Sequence, residues 1–155
     1  MKNLWFYNYS IGKIGIACEN GFISDIFFEK KNIKDYLLKE TELLKKASLQ
    51  LYEYFGASRK VFDLPLTPSG TPFQIKVWNT LLEIPYGQTV SYKDVSIKIG
   101  NPKANRAVGN ANNKNPIAIV IPCHRIIGSD GSLVGYAGGL DLKKYLIELE
   151  KGNLK

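Results

Sequence analysis

The chain reads as an α+β protein of two small domains, and three features of its sequence predict this. Its 155 residues are 45% hydrophobic and 23% charged, enough apolar material for packed cores and too much for a disordered tail. Before residue 64 the apolar residues gather in short aromatic and β-branched runs, whereas after residue 72 they recur at helical spacing. Between these stretches, Leu64-Pro65-Leu66-Thr67-Pro68-Ser69-Gly70-Thr71-Pro72 carries three prolines and a glycine in nine residues. It reads as a linker and sets the expected domains at 1–66 and 67–155.

Residues 4–9, 13–18 and 22–28 are expected as strands of a small antiparallel sheet, with Glu19-Asn20-Gly21 supplying an Asn-Gly hairpin signal. Residues 32–55 place Leu37, Leu38, Leu44, Leu51 and Phe55 among charges, which suits an amphipathic helix packed on that sheet. Beyond the linker, Phe73, Val77, Leu81 and Leu82 share one face of a helix that ends before Pro85-Tyr86-Gly87. Ser91 is placed to cap the next helix, with Asp94 completing a capping box and Gly100 ending it. Asn101-Pro102 then predicts a restart, Asn as N-cap and Pro at the first helical position. Two short helices joined by Gly-Asn resemble a helix-turn-helix. In the second, Ala104, Ala107, Val108 and Ala111 follow the i, i+3, i+4, i+7 rule and are expected to face inward, leaving Arg106, Asn110 and Asn113 outside. Residues 117–121 form an unbroken apolar run, expected as a buried strand that Pro122 ends, and a further helix starts at Leu140.

Net charge is +7 and unevenly spread: residues 1–65 hold 10 Lys/Arg against 8 Asp/Glu, and residues 66–155 hold 11 against 6. Within residues 91–125, Lys93, Lys98, Lys103, Arg106, Lys114 and Arg125 are opposed only by Asp94. Such a segment either attracts a phosphate backbone or is a solvated basic face; with the small, polar outer face of the second helix, DNA is the favoured partner. No apolar run approaches the roughly 20 residues of a membrane span, and Met1-Lys2-Asn3-Leu4-Trp5 lacks a signal-peptide layout, so a cytoplasmic protein without membrane contact is expected. Two cysteines, Cys18 and Cys123, and a single histidine, His124, cannot make a four-ligand Cys/His zinc site. No metal is expected, both thiols should be free, and Cys18 is expected as a buried strand residue.

Cys123 follows the apolar run directly. A lone cysteine there is either an inert small hydrophobe or a nucleophile, and the adjacent His124, the sole imidazole in the chain, favours the second reading. A free thiol with a pKa of about 8.5 needs a base or positive surroundings to become the attacking thiolate. Neighbouring side chains of an extended strand point to opposite faces, so Cys123 and His124 can cooperate only if the backbone turns after Pro122 or one water relays the proton. The adjacency also counts against a cysteine hydrolase, which brings its pair together from distant chain positions.

Ile121-Pro122-Cys123-His124-Arg125 resembles the signature of the O6-alkylguanine-DNA alkyltransferases, also called methylated-DNA–protein-cysteine methyltransferases. The likeness extends through Gly100-Asn101-Pro102-Lys103-Ala104-Asn105-Arg106-Ala107-Val108-Gly109 and Asn115-Pro116, and on to Gly135-Tyr136-Ala137-Gly138-Gly139-Leu140. Residues 1–63 resemble the family only in their sheet-plus-helix arrangement. The resemblance implies a ribonuclease H-like N-terminal scaffold and a winged helix-turn-helix-like C-terminal domain with the active site. It implies DNA repair by a one-turnover suicide transfer, in which Cys123 takes the alkyl group from O6 of guanine in duplex DNA and keeps it. The protein itself is the acceptor, so no cofactor is implied, and a monomer without an obligate protein partner is expected.

By the same resemblance His124 acts through water as base for Cys123, Glu150 orients the imidazole, and Asn115 is a hinge tying the helix-turn-helix to the Cys123 segment. Glu150 also stands out by itself, since a carboxylate near a helix C-terminus opposes the helix dipole. Tyr92 matches a tyrosine that helps guanine leave as a neutral base; Tyr136, Ala137, Gly138 and Ile126 match the pocket for the base. Because O6 lies within the base stack, the nucleotide must be flipped out, and Arg106 matches the arginine finger that fills the gap. Lys103, Ala104, Asn105, Ala107 and Gly109 match the surface that enters the minor groove, although Asn105 stands where the family often has alanine. A helix-turn-helix regulator or lesion sensor with an inert Cys123 is the rival reading, and the presence of Cys123, His124 and Glu150 together argues against it.

Overall fold

The structure, a computed structural model, describes residues 1–28 and 32–154. It is α+β, with a small mixed sheet and five α-helices among the described residues. They divide into two compact units, Met1–Ser69 with Pro116–Ala118, and Gly70–Asn115 with Ile119–Lys155. None of the described helices is long and apolar enough to cross a membrane.

In the first unit, strands β1 (Lys2–Tyr9), β2 (Gly12–Glu19) and β3 (Phe22–Phe27) run antiparallel in sequence order. Asn20 and Gly21 turn the β2–β3 hairpin with φ of 53° and 83°, the left-handed pair that the Asn-Gly signal predicts. The expected helix over residues 32–55 is only partly present. Tyr36–Leu38 instead forms β4, which pairs in parallel with β1, so the sheet is mixed rather than antiparallel, with order β3-β2-β1-β4. The open edge of β1 supplies backbone partners that outweigh a helical pattern, and Leu37 and Leu38 are 50% and 54% exposed rather than core. Helix α1 (Glu42–Phe55) starts only where the Thr41 hydroxyl accepts from Leu44 N. Leu44, Ala47, Leu51 and Tyr54 then bury its inner face. Cys18 is buried, its sulfur 3.6 Å from Thr41 Oγ1.

The free edge of β3 takes two short additions. Part of the expected linker joins it, with Ile23 N donating to Pro65 O and Thr67 N to Ile23 O. Further along, Ile26 N donates to Pro116 O and Ala118 N to Ile26 O. Here the expected strand over residues 117–121 fails: Ile117 alone makes a bridge, residues 118–120 turn, and Ile119 has φ of 71°. A β-branched residue in the left-handed region cannot continue a strand. The apolar run marked burial correctly and extension wrongly.

In the second unit Thr71 and Gln74 form a full capping box at the start of α2 (Pro72–Leu81), with Pro72 inside the first turn. Val77 and Leu81 are buried as expected, Leu82 is not, and Trp78 is the largest buried side chain of the helix. Its Nε1 donates to Ala111 O at 2.8 Å, fastening α2 to the last helix-forming stretch before Asn115. The predicted Ser91–Asp94 capping box opens α3 (Tyr92–Lys98), and Gly100 follows its end with φ of 83°. The restart differs from expectation. Asn101 and Pro102 lie in a turn closed by Ala104 N onto Asn101 O, and α4 (Asn105–Asn113) begins after Ala104 without a side-chain cap. Val108, Ala111 and Asn112 therefore set the buried stripe. Ala107 lies about 100° round the helix from Val108 and is exposed, contrary to the expected inward position. Two-residue strands β5 (Val90–Ser91) and β6 (Ile126–Ile127) pair in parallel, and α5 (Leu140–Gly152) buries Lys143, Leu146 and Glu150.

Replacing Trp78 with Phe removes the bond to Ala111 and opens a void between α2 and α4. The unfolding free energy should fall by about 1–3 kcal/mol, measured by urea denaturation followed by far-UV circular dichroism.

Candidate active site

Pro122 ends the turning segment, and Cys123–Arg125 forms one turn of 3₁₀-helix leading into β6. This is the expected backbone turn after Pro122. It buries Cys123, His124 and Arg125 together, which an extended strand would not do. Two asparagines of the α4 region hold the turn. Asn115 Nδ2 donates to Ile121 O at 2.8 Å, and Asn112 Nδ2 donates to Cys123 O at 3.3 Å.

The imidazole of His124 is fully buried, and its Nε2 lies 2.6 Å from Glu150 Oε2. Glu150, 1% exposed, also accepts from Arg125 Nε at 2.8 Å and Nη2 at 3.0 Å and from the backbone N–H of Gly87 at 3.1 Å. Arg125 donates in addition to Ile84 O at 2.7 Å, its guanidinium above the Tyr86 ring. A carboxylate so surrounded by donors is held ionised, and an ionised carboxylate only accepts. The His124 Nε2 therefore carries a proton, and Nδ1 is the basic nitrogen. Burial lowers the imidazole pKa against the opposite pull of Glu150, so the ring is neutral at physiological pH.

The Cys123 thiol is pushed up to about 11 by burial, against the pull of an Asn115 hydrogen bond and the Lys143 charge. At pH 7 only about one molecule in ten thousand would hold a free thiolate. The sulfur therefore needs a base at the moment it reacts. Tyr92 lies half-buried on α3, its hydroxyl donating to Val134 O at 3.0 Å; burial and the neighbouring Cys123 raise its pKa, so the phenol stays a donor.

Cys123, His124, Glu150 and Asn115 are thus brought together, with Tyr92 close enough to Cys123 to be coupled to it electrostatically. Tyr136 is half-buried with its hydroxyl enclosed, Ala137 and Gly138 form the turn before α5, and Ile126 is fully buried in β6. Arg106 and Lys103 are exposed, as are Ala107 and Asn105, whose Oδ1 accepts from Ser96 on α3. Gly109 packs beside the Tyr92 ring, while Ala104 is buried at the start of α4. Sequence reasoning gave no role to Arg125, Gly87, Asn112 or Lys143. Arg125 stands inside the recognised motif, and Lys143 shares the i, i+3, i+7 stripe of α5 with Leu146 and Glu150, where a charge is itself a signal. Gly87 gives no such sign. Its φ is 82°, and a Cβ there would lie 2.7 Å from Leu154, so glycine alone lets this N–H reach Glu150.

The model of the 6-O-methylguanine DNA methyltransferase, DNA binding domain, matches residues 72–152. A methylated-DNA–protein-cysteine methyltransferase of Methanosarcina barkeri is 54% identical over 118 residues, 76% of this chain and 75% of the relative. The constitutive enzyme of that name from Bacillus subtilis is 43% identical over 153 residues, 94% of this chain and 93% of its own. Among solved structures, Mycobacterium tuberculosis OGT in complex with DNA superposes with a TM-score of 0.92 at 39% identity, covering 97% of this chain and 94% of that one. By the matched domain, the extent of these identities and the shared fold, the chain belongs to the 6-O-methylguanine DNA methyltransferase family.

Proposed function

We propose that this protein repairs O6-alkylguanine in duplex DNA by moving the alkyl group, once and irreversibly, onto its own Cys123. The observation that carries the reading is the buried thiol at the head of a turn whose next residue is a neutral, carboxylate-oriented imidazole.

In the reaction the Cys123 sulfur attacks the alkyl carbon, an S–C bond forms, the C–O6 bond breaks, and its electron pair leaves with guanine. The thiol proton passes to His124 Nδ1 through one water, and Glu150 stabilises the imidazolium that results. Guanine takes up one proton as it leaves, and Tyr92, kept protonated by its surroundings, is the donor. For this the Tyr92 hydroxyl must turn from Val134 O to the base. The thioether left on Cys123 is neither a disulfide nor a sulfenic acid, so thiol exchange does not restore it, and each molecule acts once. Asn115 acts as the hinge that holds the Cys123 turn against the end of α4.

We read α3 and α4 as the helix-turn-helix, with β5 and β6 beside it as a minimal wing, and the first unit as a ribonuclease H-like scaffold. The outer face of α4 carries Arg106 and Asn110 with the small residues Ala107 and Gly109, which suits close approach to a minor groove. Lys103 and Asn105 extend that face, Arg106 takes the place of the flipped nucleotide, and Tyr136, Ala137, Gly138 and Ile126 form the pocket for the base. The protein acts as a monomer.

Incubation with a duplex oligonucleotide carrying O6-methylguanine should add one methyl group to the intact mass, and Cys123→Ala should add none. An unchanged mass with tight lesion binding would make the protein a sensor instead. Arg106→Ala should slow methyl transfer from duplex DNA at least tenfold more than from the free O6-alkylguanine base, because only the duplex requires flipping; single-turnover rates on the two substrates check this, and equal losses would remove the assignment.

A further inference from the structure

Asn105 stands where the family often has alanine, and the structure gives its side chain a fixed orientation. It is the first residue of α4 and is exposed, yet its Oδ1 accepts from Ser96 Oγ on α3 at 2.7 Å. Ser96 is fully buried, and its hydroxyl also lies 3.0 Å from Tyr92 O, one turn back on the same helix. A hydroxyl has one proton to give. Within the helix Tyr92 O already faces the N–H of Ser96, and the contact to Asn105 has the length of an O–H···O bond rather than an N–H···O bond. The proton therefore goes to Asn105. Its amide is held by the oxygen, and the Nδ2 amino group is the end turned away from α3. Lys103 and Arg106, exposed beside it, carry their charges on long flexible stems. Asn105 alone of the three offers a donor at a fixed place, and an alanine would offer none.

We propose that Asn105 is a specificity-determining residue: its fixed amide donor reads the minor-groove edge of the base pairs beside the lesion and favours A·T over G·C there. The proposal rests on the function given above, in which the outer face of α4 enters the minor groove. Arg106, the next residue in the chain, fills the place of the flipped nucleotide in that reading, which sets Asn105 against the neighbouring pairs. In the minor groove an A·T pair shows only acceptors, adenine N3 and thymine O2, whereas a G·C pair adds the N2 amino group of guanine, a donor. A donor held in place pairs with the first. Against the second it meets another donor, and two polar groups are left desolvated and unpaired. The long cations can turn aside from the guanine amino group; the amide held by Ser96 cannot. Were the amide reversed, with Ser96 donating to Tyr92 O and accepting from Nδ2, the outward Oδ1 would accept from guanine and the preference would invert.

The test uses the full chain and single-turnover methyl transfer from O6-methylguanine duplexes that differ only in the pairs flanking the lesion. Inosine in place of guanine removes the N2 amino group, and 2,6-diaminopurine in place of adenine adds one. Each exchange also alters how readily the duplex opens, so each rate ratio is compared with the same ratio for Asn105→Ala. Removing the amino group should speed transfer about fivefold more in the unaltered protein than in Asn105→Ala, the effect of one hydrogen bond, and adding it should slow transfer by as much. Ser96→Ala releases the amide and should lose most of the effect; it is the reference if Asn105→Ala does not fold. Equal amino-group effects in the unaltered protein and the reference variant overturn the proposal, as does a gain from the amino group in the unaltered protein relative to that variant. Duplex affinities, measured by fluorescence anisotropy on the same set, separate this inference from the one beneath it. Should no duplex give up its methyl group while affinity still falls about fivefold with the amino group, the proposed function is overturned and the reading of Asn105 stands.

Discussion

The ion pair between Arg125 and Glu150 is the constraint on which the site depends. A carboxylate in the last turn of α5 opposes the helix dipole, and at 1% exposure it has no water to compensate it. Two guanidinium bonds, the Gly87 N–H and the His124 ring hold it in the charged state. Such a pair adds little net stability, but removing one partner leaves a buried charge uncompensated at a cost of about 3–5 kcal/mol. Its gain is specificity. The pair joins the segment after α2, the turn of Cys123–Arg125 and the end of α5, and it leaves the imidazole a single tautomer.

That tautomer organises the remaining charges. In the proposed reaction, proton transfer from Cys123 to His124 converts a neutral buried pair into an ion pair. Glu150 stands behind the imidazolium, while the Asn115 hydrogen bond and the Lys143 charge draw the buried thiol down. Neither charge alone would make the transfer favourable, because burial opposes both products. Before the reaction the pair rests in its neutral form.

Much of this was legible in the sequence, and the exceptions have physical causes. Local signals held wherever a few neighbouring residues decide the outcome: Asn20-Gly21 for the hairpin, Ser91 with Asp94 for a helix start, Gly100 for a helix end. They failed where a distant partner decides. Residues 36–38 became a strand because β1 offered an edge, and residues 117–121 lost their extension because one bridge and the left-handed Ile119 replaced a ladder. Ala107 came out exposed because Asn112, not an alanine, completes the buried stripe of α4. The motif around Cys123 named the groups that the structure brings together, but it could not reveal that Gly87 contributes a backbone donor or that Lys143 is buried. The first depends on the approach of segments 63 residues apart in the chain, and the second on how the turn of Val134 and Gly135 folds over α5.

A thiol with a pKa near 11 looks like a poor nucleophile, yet for a single-use acceptor the disadvantage is small. An enzyme with turnover gains from a thiolate that is always ready, because speed is its output. A protein consumed by its first reaction has the opposite requirement, since any soluble electrophile that reaches an ionised Cys123 ends its working life. Burial keeps the sulfur protonated, and in the proposed reaction the buried His124–Glu150 pair supplies the base. A substrate delivered there has its reactive carbon held against the sulfur for many attempts, and such positioning is worth about 7–11 kcal/mol of barrier in favourable cases. A stray alkylating agent has no such residence. Raising the thiol pKa therefore costs both reactions alike, and positioning returns the loss to the bound lesion alone, so the protected resting state and the selectivity for a held substrate come from the same burial.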